Sequence, residues 1–307
     1  MERKKIVVIG SSNTDMVLKS SRLPLPGETV LGDRFTMNAG GKGANQAVTA
    51  AKLGGDVVLI AKVGNDMFGE QAISGFDAYG IDTRFISKDE HVASGVALIM
   101  VDAQGENSIS VALGANAVLS QSDLGPALYL MNEHAYVLMQ LEIPMALVEY
   151  VAGLSSSLGF RFVLNPAPAQ HLPDHILQSL YMITPNIVEA EAFSGIKVND
   201  EASARAAATT LRKKGVEIVV ITMGSKGAYV LSDTLDELLP CPKVKAVDTT
   251  AAGDTFNGAL LVALSEGQSL REAIVFANRA AGYSVGILGA QTSAPTRADI
   301  DKLKKTN

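Results

Sequence analysis

Six short, predominantly apolar runs recur along the chain, Ile6–Ile9, Val57–Ile60, Tyr136–Met139, Phe162–Leu164, Met182–Thr184 and Ile218–Thr222, and patterns of helical spacing separate them. A strand that is apolar at every position, not at alternate ones, is covered on both faces, which is how strands of a parallel sheet read. Parallel neighbours need long crossovers, and Gly43–Leu53, Gly69–Tyr79, Met145–Leu158 and Glu201–Lys214 have the periodicity of helices that supply them. The expected fold class is α/β, a doubly wound, mostly parallel sheet between layers of helices. Two Ala- and Gly-rich helices, Asp254–Leu264 and Leu270–Val285, and an amphipathic helix over Arg297–Lys305 complete the reading.

Two stretches break the alternation. Residues 13–38 hold the strand-like pieces Met16–Leu18, Glu28–Leu31 and Arg34–Met37 with no helix between them, and residues 94–113 hold Val96–Val101 and Ser108–Leu113. They read either as extra edge strands or as a small antiparallel sheet that projects from the core as a lid over a site. With no linker, repeat or low-complexity segment, the expected organisation is one domain over residues 1–307 with that lid.

Charge and cysteine narrow the function classes. A formal net charge of −6 without any Lys/Arg block argues against nucleic acid and anionic membrane as partners. A single cysteine, Cys241, forms no internal disulfide and fits a reduced cytoplasmic compartment. Arg3, Lys4 and Lys5 precede only four apolar residues, too few for a secretory signal, and no later run is long enough to span a bilayer. His171 and His175 stand four apart across Pro173 without an HExxH context, so a helix start is expected there and not a zinc site. A small-molecule partner is what remains.

The segment Asp248-Thr-Thr-Ala-Ala-Gly-Asp-Thr-Phe-Asn-Gly258 leads from a strand into a helix. Small residues around Gly253 let successive N–H groups turn into one concavity at a helix N-terminus, where an anion is favoured, and Asp254 follows in the first turn as a carboxylate able to accept a proton. An ordinary helix start would look the same in isolation. Asn38-Ala-Gly-Gly-Lys-Gly-Ala-Asn-Gln-Ala47 puts three glycines within four positions before another helix, with Lys42 and Asn45 as donors to hydroxyls. It is no P-loop, since Gly43 stands where Ser or Thr is required, and no GxGxxG follows the first strand, which speaks against a nicotinamide-dependent oxidoreductase. Thr184-Pro-Asn-Ile-Val-Glu189 suits a cation and phosphate oxygens or a solvated helix start, and Thr222-Met-Gly-Ser-Lys-Gly227 makes a glycine turn that would also serve a plain hairpin.

Together these strings, in this order from Gly10 to Ser293, resemble the signatures of the ribokinase (PfkB-type carbohydrate kinase) family. The resemblance implies Asp254 as catalytic base and the N–H groups of Ala251, Ala252 and Gly253 as an anion hole. It places Asn13, Asp15, Gly41, Lys42, Asn45 and Glu142, with Asp254, on a small sugar. Asn186, Glu189, Thr222, Gly224, Ser225, Gly227, Gly253 and Asn278 are implied on the nucleotide side, and Gly289–Ser293 beside the adenine. Asp248, Thr250, Ser284, Ile287, Gly289 and Ser293 are implied around a monovalent cation such as K+. The implied cofactors are ATP, Mg2+ and that cation; the implied acceptor is D-ribose, with 2-deoxyribose, fructose or a nucleoside as alternatives; and a homodimer joined through the lid is implied. A sugar sensor without catalysis is the alternative outside enzymes, and the presence of Asp254 argues against it.

Overall fold

In the computed structural model, which describes residues 4–305, the apolar runs form the centre of one large sheet. Arg3 and the two ends of the expected domain lie outside the described residues. The strands are, in chain order, β1 (Lys5–Ile9), β2 (Asn13–Ser20), β3 (Gly32–Gly40), β4 (Val57–Gly64), β5 (Ile86–Asp89), β6 (Gly95–Val101), β7 (Asn107–Ala112), β8 (Ala135–Met139), β9 (Arg161–Leu164), β10 (Met182–Ile183), β11 (Ile218–Thr222), β12 (Ala228–Leu231) and β13 (Asp236–Leu239). The helices are α1 (Lys42–Lys52), α2 (Met67–Ala78), α3 (Gln121–Leu124), α4 (Met145–Leu158), α5 (Asp174–Gln178), α6 (Ile187–Ser194), α7 (Glu201–Lys213), α8 (Ala252–Ser265), α9 (Leu270–Ser284) and α10 (Arg297–Lys305).

The nine-stranded sheet has the order β13-β12-β11-β10-β9-β8-β1-β4-β5, parallel from β5 to β11 and closed by the antiparallel β12 and β13. Alternate residues of each central strand enter opposite layers. Val7 and Ile9 join a core with α4 and α7, while Ile6 and Val8 join one with α1, α8 and α9. Strand order reverses between β1 and β8, so the connections leaving their carboxyl ends diverge and open a crevice, the usual ligand position in such sheets. Asn13 and Glu142 stand just beyond those two ends.

The second sheet has the order β3-β2-β6-β7. It is mixed, not purely antiparallel as expected, because β2 and β6 pair in parallel while β2–β3 and β6–β7 are antiparallel. Both β2 and β6 follow the carboxyl ends of parallel core strands, β1 and β5, and that common departure accounts for their shared direction. Glu28–Leu31 is not a strand. Its Glu28 is folded into the turn after Pro24, accepting from the Leu25 N–H at 3.0 Å and pairing with Arg22, and the strand begins only at Gly32. The edge strands β5 and β13 are short and partly polar, and β12 between β13 and β11 has only four residues, which hid all three in the sequence. Thr222–Gly227 connects β11 to antiparallel β12, so the glycine turn is a hairpin.

His171 and His175 are exposed beside the short α5, as expected, and among the described residues no cluster of His, Cys, Asp and Glu is arranged to hold a metal ion. Among the same residues no helix is long and apolar enough to cross a membrane.

Candidate active site

The glycine-rich segment closes the crevice because only glycine lets α1 approach β1. Gly41 has φ 88°, and a Cβ there would lie 2.7 Å from the Asn13 backbone nitrogen. Helix α1 has no acidic residue in its first turn and no side-chain cap of its own. Glu142, a hundred residues away in sequence, supplies the carboxylate instead: its Oε2 accepts from the Lys42 N–H at 3.0 Å and from Ser11 Oγ at 2.6 Å. Asn13 is held by a residue that sequence reasoning missed, Asn116, whose Nδ2 donates to Asn13 Oδ1 at 2.8 Å. Asp15 lies against the bare Cα of Gly40, where a Cβ would come within 2.3 Å of Oδ2. Burial pushes the Asp15 pKa up to about 6, with the nearby Glu142 and Asp254 adding to the rise.

Asp254 is buried in the first turn of α8, 6% exposed. Each of its oxygens takes one amide hydrogen, Oδ2 from Asn45 at 3.0 Å and Oδ1 from Gln46 at 2.9 Å. Burial drives its pKa up, opposed first by the Lys42 ammonium and then by those two amides. Burial works against the charge of Lys42 as well, but Asp254, Glu142, Glu189 and Asp15 surround it and hold its pKa above the usual lysine value. Lys42 thus stands between the carboxylates of Asp15, Glu142 and Asp254 and that of Glu189. Asn45 Oδ1 is buried without a protein partner, an acceptor that a ligand hydroxyl would satisfy.

The turn before α8 has the shape an anion hole needs. Ala251 is in the left-handed conformation at φ 57°, a strained geometry for a residue with a Cβ, and first-turn N–H groups have no acceptor within their own helix. The Ala252 N–H closes a long turn bond to the Thr249 carbonyl at 3.3 Å, while Gly253 is exposed with open space before its Cα. Asp248 ties this turn to the chain after α9: Oδ1 accepts from the Thr250 N–H and Oδ2 from the Gly289 N–H, both at 2.9 Å. These donors outweigh burial and lower the Asp248 pKa. Ser284 and Ser293 are buried and spend their hydrogens on the Ala281 and Ala290 carbonyls, which leaves their oxygen lone pairs to accept; Ile287 is exposed. Backbone and hydroxyl oxygens from Asp248 to Ser293 therefore fit a hard monovalent cation in kind.

On the other side of the turn, Asn186 caps α6 and forms a capping box with Glu189, whose Oε2 accepts from the Asn186 N–H at 2.8 Å. The motif is a helix start, yet Glu189 is buried and its pKa is raised by that burial, and Asn186 forms a parallel bridge with Thr222 at the end of β11. Gly224 and Ser225 are exposed in the turn, and Gly227 packs on the Leu239 carbonyl. Asn278 does not face the turn with a free amide; it donates to that same Leu239 carbonyl at 2.9 Å and so holds the loop beside it. Cys241 bonds the carbonyl of Ser225 at 3.4 Å and is structural.

The family model for pfkB family carbohydrate kinases matches residues 3–297. The chain belongs to that family. Ribokinase of Haemophilus influenzae is 43% identical over 297 residues, covering 97% of each chain. Among solved structures, ribokinase of Thermotoga maritima superposes with a TM-score of 0.89 at 38% identity, covering 98% of this chain and 99% of that one. The structure of Arabidopsis thaliana ribokinase complexed with ribose and ATP gives a TM-score of 0.91 at 32% identity, covering 99% of both. The chain is thus an ATP-dependent sugar kinase of the pfkB family, with its αβα core and separate small sheet. Within that frame, Gln46, Asn116, Gln140 and Asn165 are amides that sequence reasoning did not single out, because the contacts Gln46–Asn165, Asn116–Asn13 and Gln140–Gln46 span 119, 103 and 94 residues.

Proposed function

We propose that this kinase transfers the γ-phosphoryl group of ATP to the 5-hydroxyl of D-ribose, giving ribose 5-phosphate and ADP. The observation that carries the reading is Asp254, a buried carboxylate in the first turn of α8, held on both oxygens by amides and set one residue after the Ala251–Gly253 turn. Asn13, Asp15, Gly41, Lys42, Asn45 and Glu142 line the crevice where β1 and β8 diverge and suit a polyhydroxylated acceptor. Asp254 accepts the proton of the 5-hydroxyl as its oxygen bonds to the γ-phosphorus and the bond to the ADP oxygen breaks. The turn and the positive end of α8 take up charge on the transferring group. Asn186, Glu189, Thr222, Gly224, Ser225, Gly227 and the loop that Asn278 holds form the nucleotide side.

Glu189, one buried carboxylate with an oxygen left over from its capping box, fits Mg2+, which takes one or two carboxylates and keeps waters and phosphate oxygens. Mg2+ when bound offsets phosphate charge. Asp248, Thr250, Ser284, Ile287, Gly289 and Ser293 would hold K+ and so stiffen the turn before α8. The exposed apolar face of the small sheet supports a homodimer through the lids.

The test is coupled ADP release over pentoses, hexoses, nucleosides and sugar phosphates. Asn13 and Asp15 read adjacent hydroxyls, so ribose should exceed 2-deoxyribose in kcat/KM by at least about tenfold, or ~1.4 kcal/mol. Equal or reversed preference would overturn the ribose assignment.

A further inference from the structure

A closed path of buried amides links the two halves of the machinery, and no motif contains it. Gln46 is fully buried, and its Nε2 donates one hydrogen to Asp254 Oδ1 at 2.9 Å and the other to Asn165 Oδ1 at 3.0 Å. Its Oε1 accepts from Gln140 Nε2 at 2.7 Å, which decides the orientation: turned over, Gln46 Oε1 would face the Asp254 carboxylate and the Asn165 carbonyl, three acceptors in contact. Asn165 then donates to the Thr184 carbonyl at 3.1 Å, Thr184 Oγ1 to Asn257 Oδ1 at 2.7 Å, and Asn257 Nδ2 to the Gly253 carbonyl at 2.8 Å. The path leaves the carboxylate of Asp254 and returns to the backbone one residue before it, passing through α1, the residues just after β9 and β10, and α8.

We infer that Gln46 is a positioning residue for the base: held by Gln140 and Asn165, it aims one amide hydrogen at Asp254 Oδ1 and so keeps the carboxylate ionised and its other lone pairs turned to the acceptor hydroxyl. This rests on the reading of Asp254 as base. Burial alone favours the protonated carboxyl, which accepts no proton, and a donor to the ionised form opposes that. Gln46 touches neither sugar nor nucleotide in this role; it acts through Asp254.

Removing the donor raises the pKa of Asp254, so the acid limb of activity moves to higher pH. Kinetics with D-ribose at saturating MgATP, from about pH 5 to 9, are compared for the parent, Gln46→Met, Gln140→Met and Asp254→Asn. Gln46→Met is expected to move the acid limb of kcat/KM up by about one pH unit and to lower kcat near neutrality about tenfold, with the KM for ATP within about twofold of the parent. Gln140→Met leaves Gln46 in place but frees its amide to rotate, and a smaller shift in the same direction is expected; it serves if Gln46→Met does not fold. A folded variant that loses activity equally at every pH would mean a merely structural role and overturn the inference. An unshifted limb beside an inactive Asp254→Asn overturns the positioning role alone, whereas near-parental turnover in Asp254→Asn overturns the base reading beneath it.

Discussion

Charge in the crevice is set by burial and by neighbours that meet only in the folded chain. Asp15 is the clearest case. Its pKa, about 6 in the fold, lies above the ordinary aspartate value of 3.8, so between these values the folded state binds more protons than the unfolded one. The sign follows: stability falls as pH rises through that window, and the ionised Asp15 is a destabilising group above it. Asp15→Asn should therefore raise Tm by a few degrees at about pH 7.5 and by little at about pH 4, while weakening sugar binding, the usual conflict between stability and a built site. Thermal unfolding of the two proteins at both pH values checks this; an equal shift at both would mean that the effect is not ionisation. Asp254 and the glycines before α1 stood out in the sequence because Gly-Asp at a helix start and three glycines before a helix each have a local physical reason, whereas Asp15 and Glu142 were indicated only by the family resemblance. Asn116 and Gln46 were not singled out, since their roles come from partners across the fold.

At the scale of elements, the central strands were legible because burial on both faces leaves an unbroken apolar run, and α1, α4, α7, α8 and α9 because their apolar stripes repeat at helical spacing. The edge strands β5 and β13 are short and partly polar and gave no such run, and β12 is apolar but only four residues long, while Glu28–Leu31 carried strand-like residues that a Pro-rich turn and the Arg22–Glu28 pair overrode. The turn before α8 is where element geometry is expected to bear on rate. It is tied to the chain after α9 by Asp248 and by the Val247 and Asp248 N–H groups on the Val285 carbonyl. A cation among these oxygens would fix the strained Ala251 and its neighbours. K+ is expected to raise kcat over Na+ or a bulky organic cation in steady-state assays at constant ionic strength, and equal rates in all three would remove the cation from the account. A chelator of Mg2+ should abolish turnover in any of these salts.

The whole molecule brings a core and a small sheet together over one crevice. One face of the small sheet carries Asp15 toward the site. The other carries Met16, Leu18, Phe35, Met37, Leu98 and Met100, adjacent through the pairings Met16–Met37, Met16–Leu98 and Leu18–Phe35. Phe35 is 57% and Leu98 55% exposed in one chain, a contiguous apolar patch of the kind that marks an interface. Sedimentation velocity should find a dimer in the parent and a monomer in Phe35→Glu/Leu98→Glu; a parent that sediments as a monomer at micromolar concentration would remove the lid contact. The outward apolar face is visible in the sequence only as a break in the helix–strand rhythm, because which face points away from the core depends on where β2 and β6 leave it. Strand order, both glycine-rich motifs and the amide path converge on a single carboxylate, so the most direct measurement is steady-state kinetics on folded Asp254→Asn, with sugar and ATP binding followed by calorimetry. The substitution keeps shape and removes basicity; kcat is predicted to fall at least roughly 10²-fold while both affinities change far less. Turnover within a few-fold of the parent would place the base elsewhere and contradict the account.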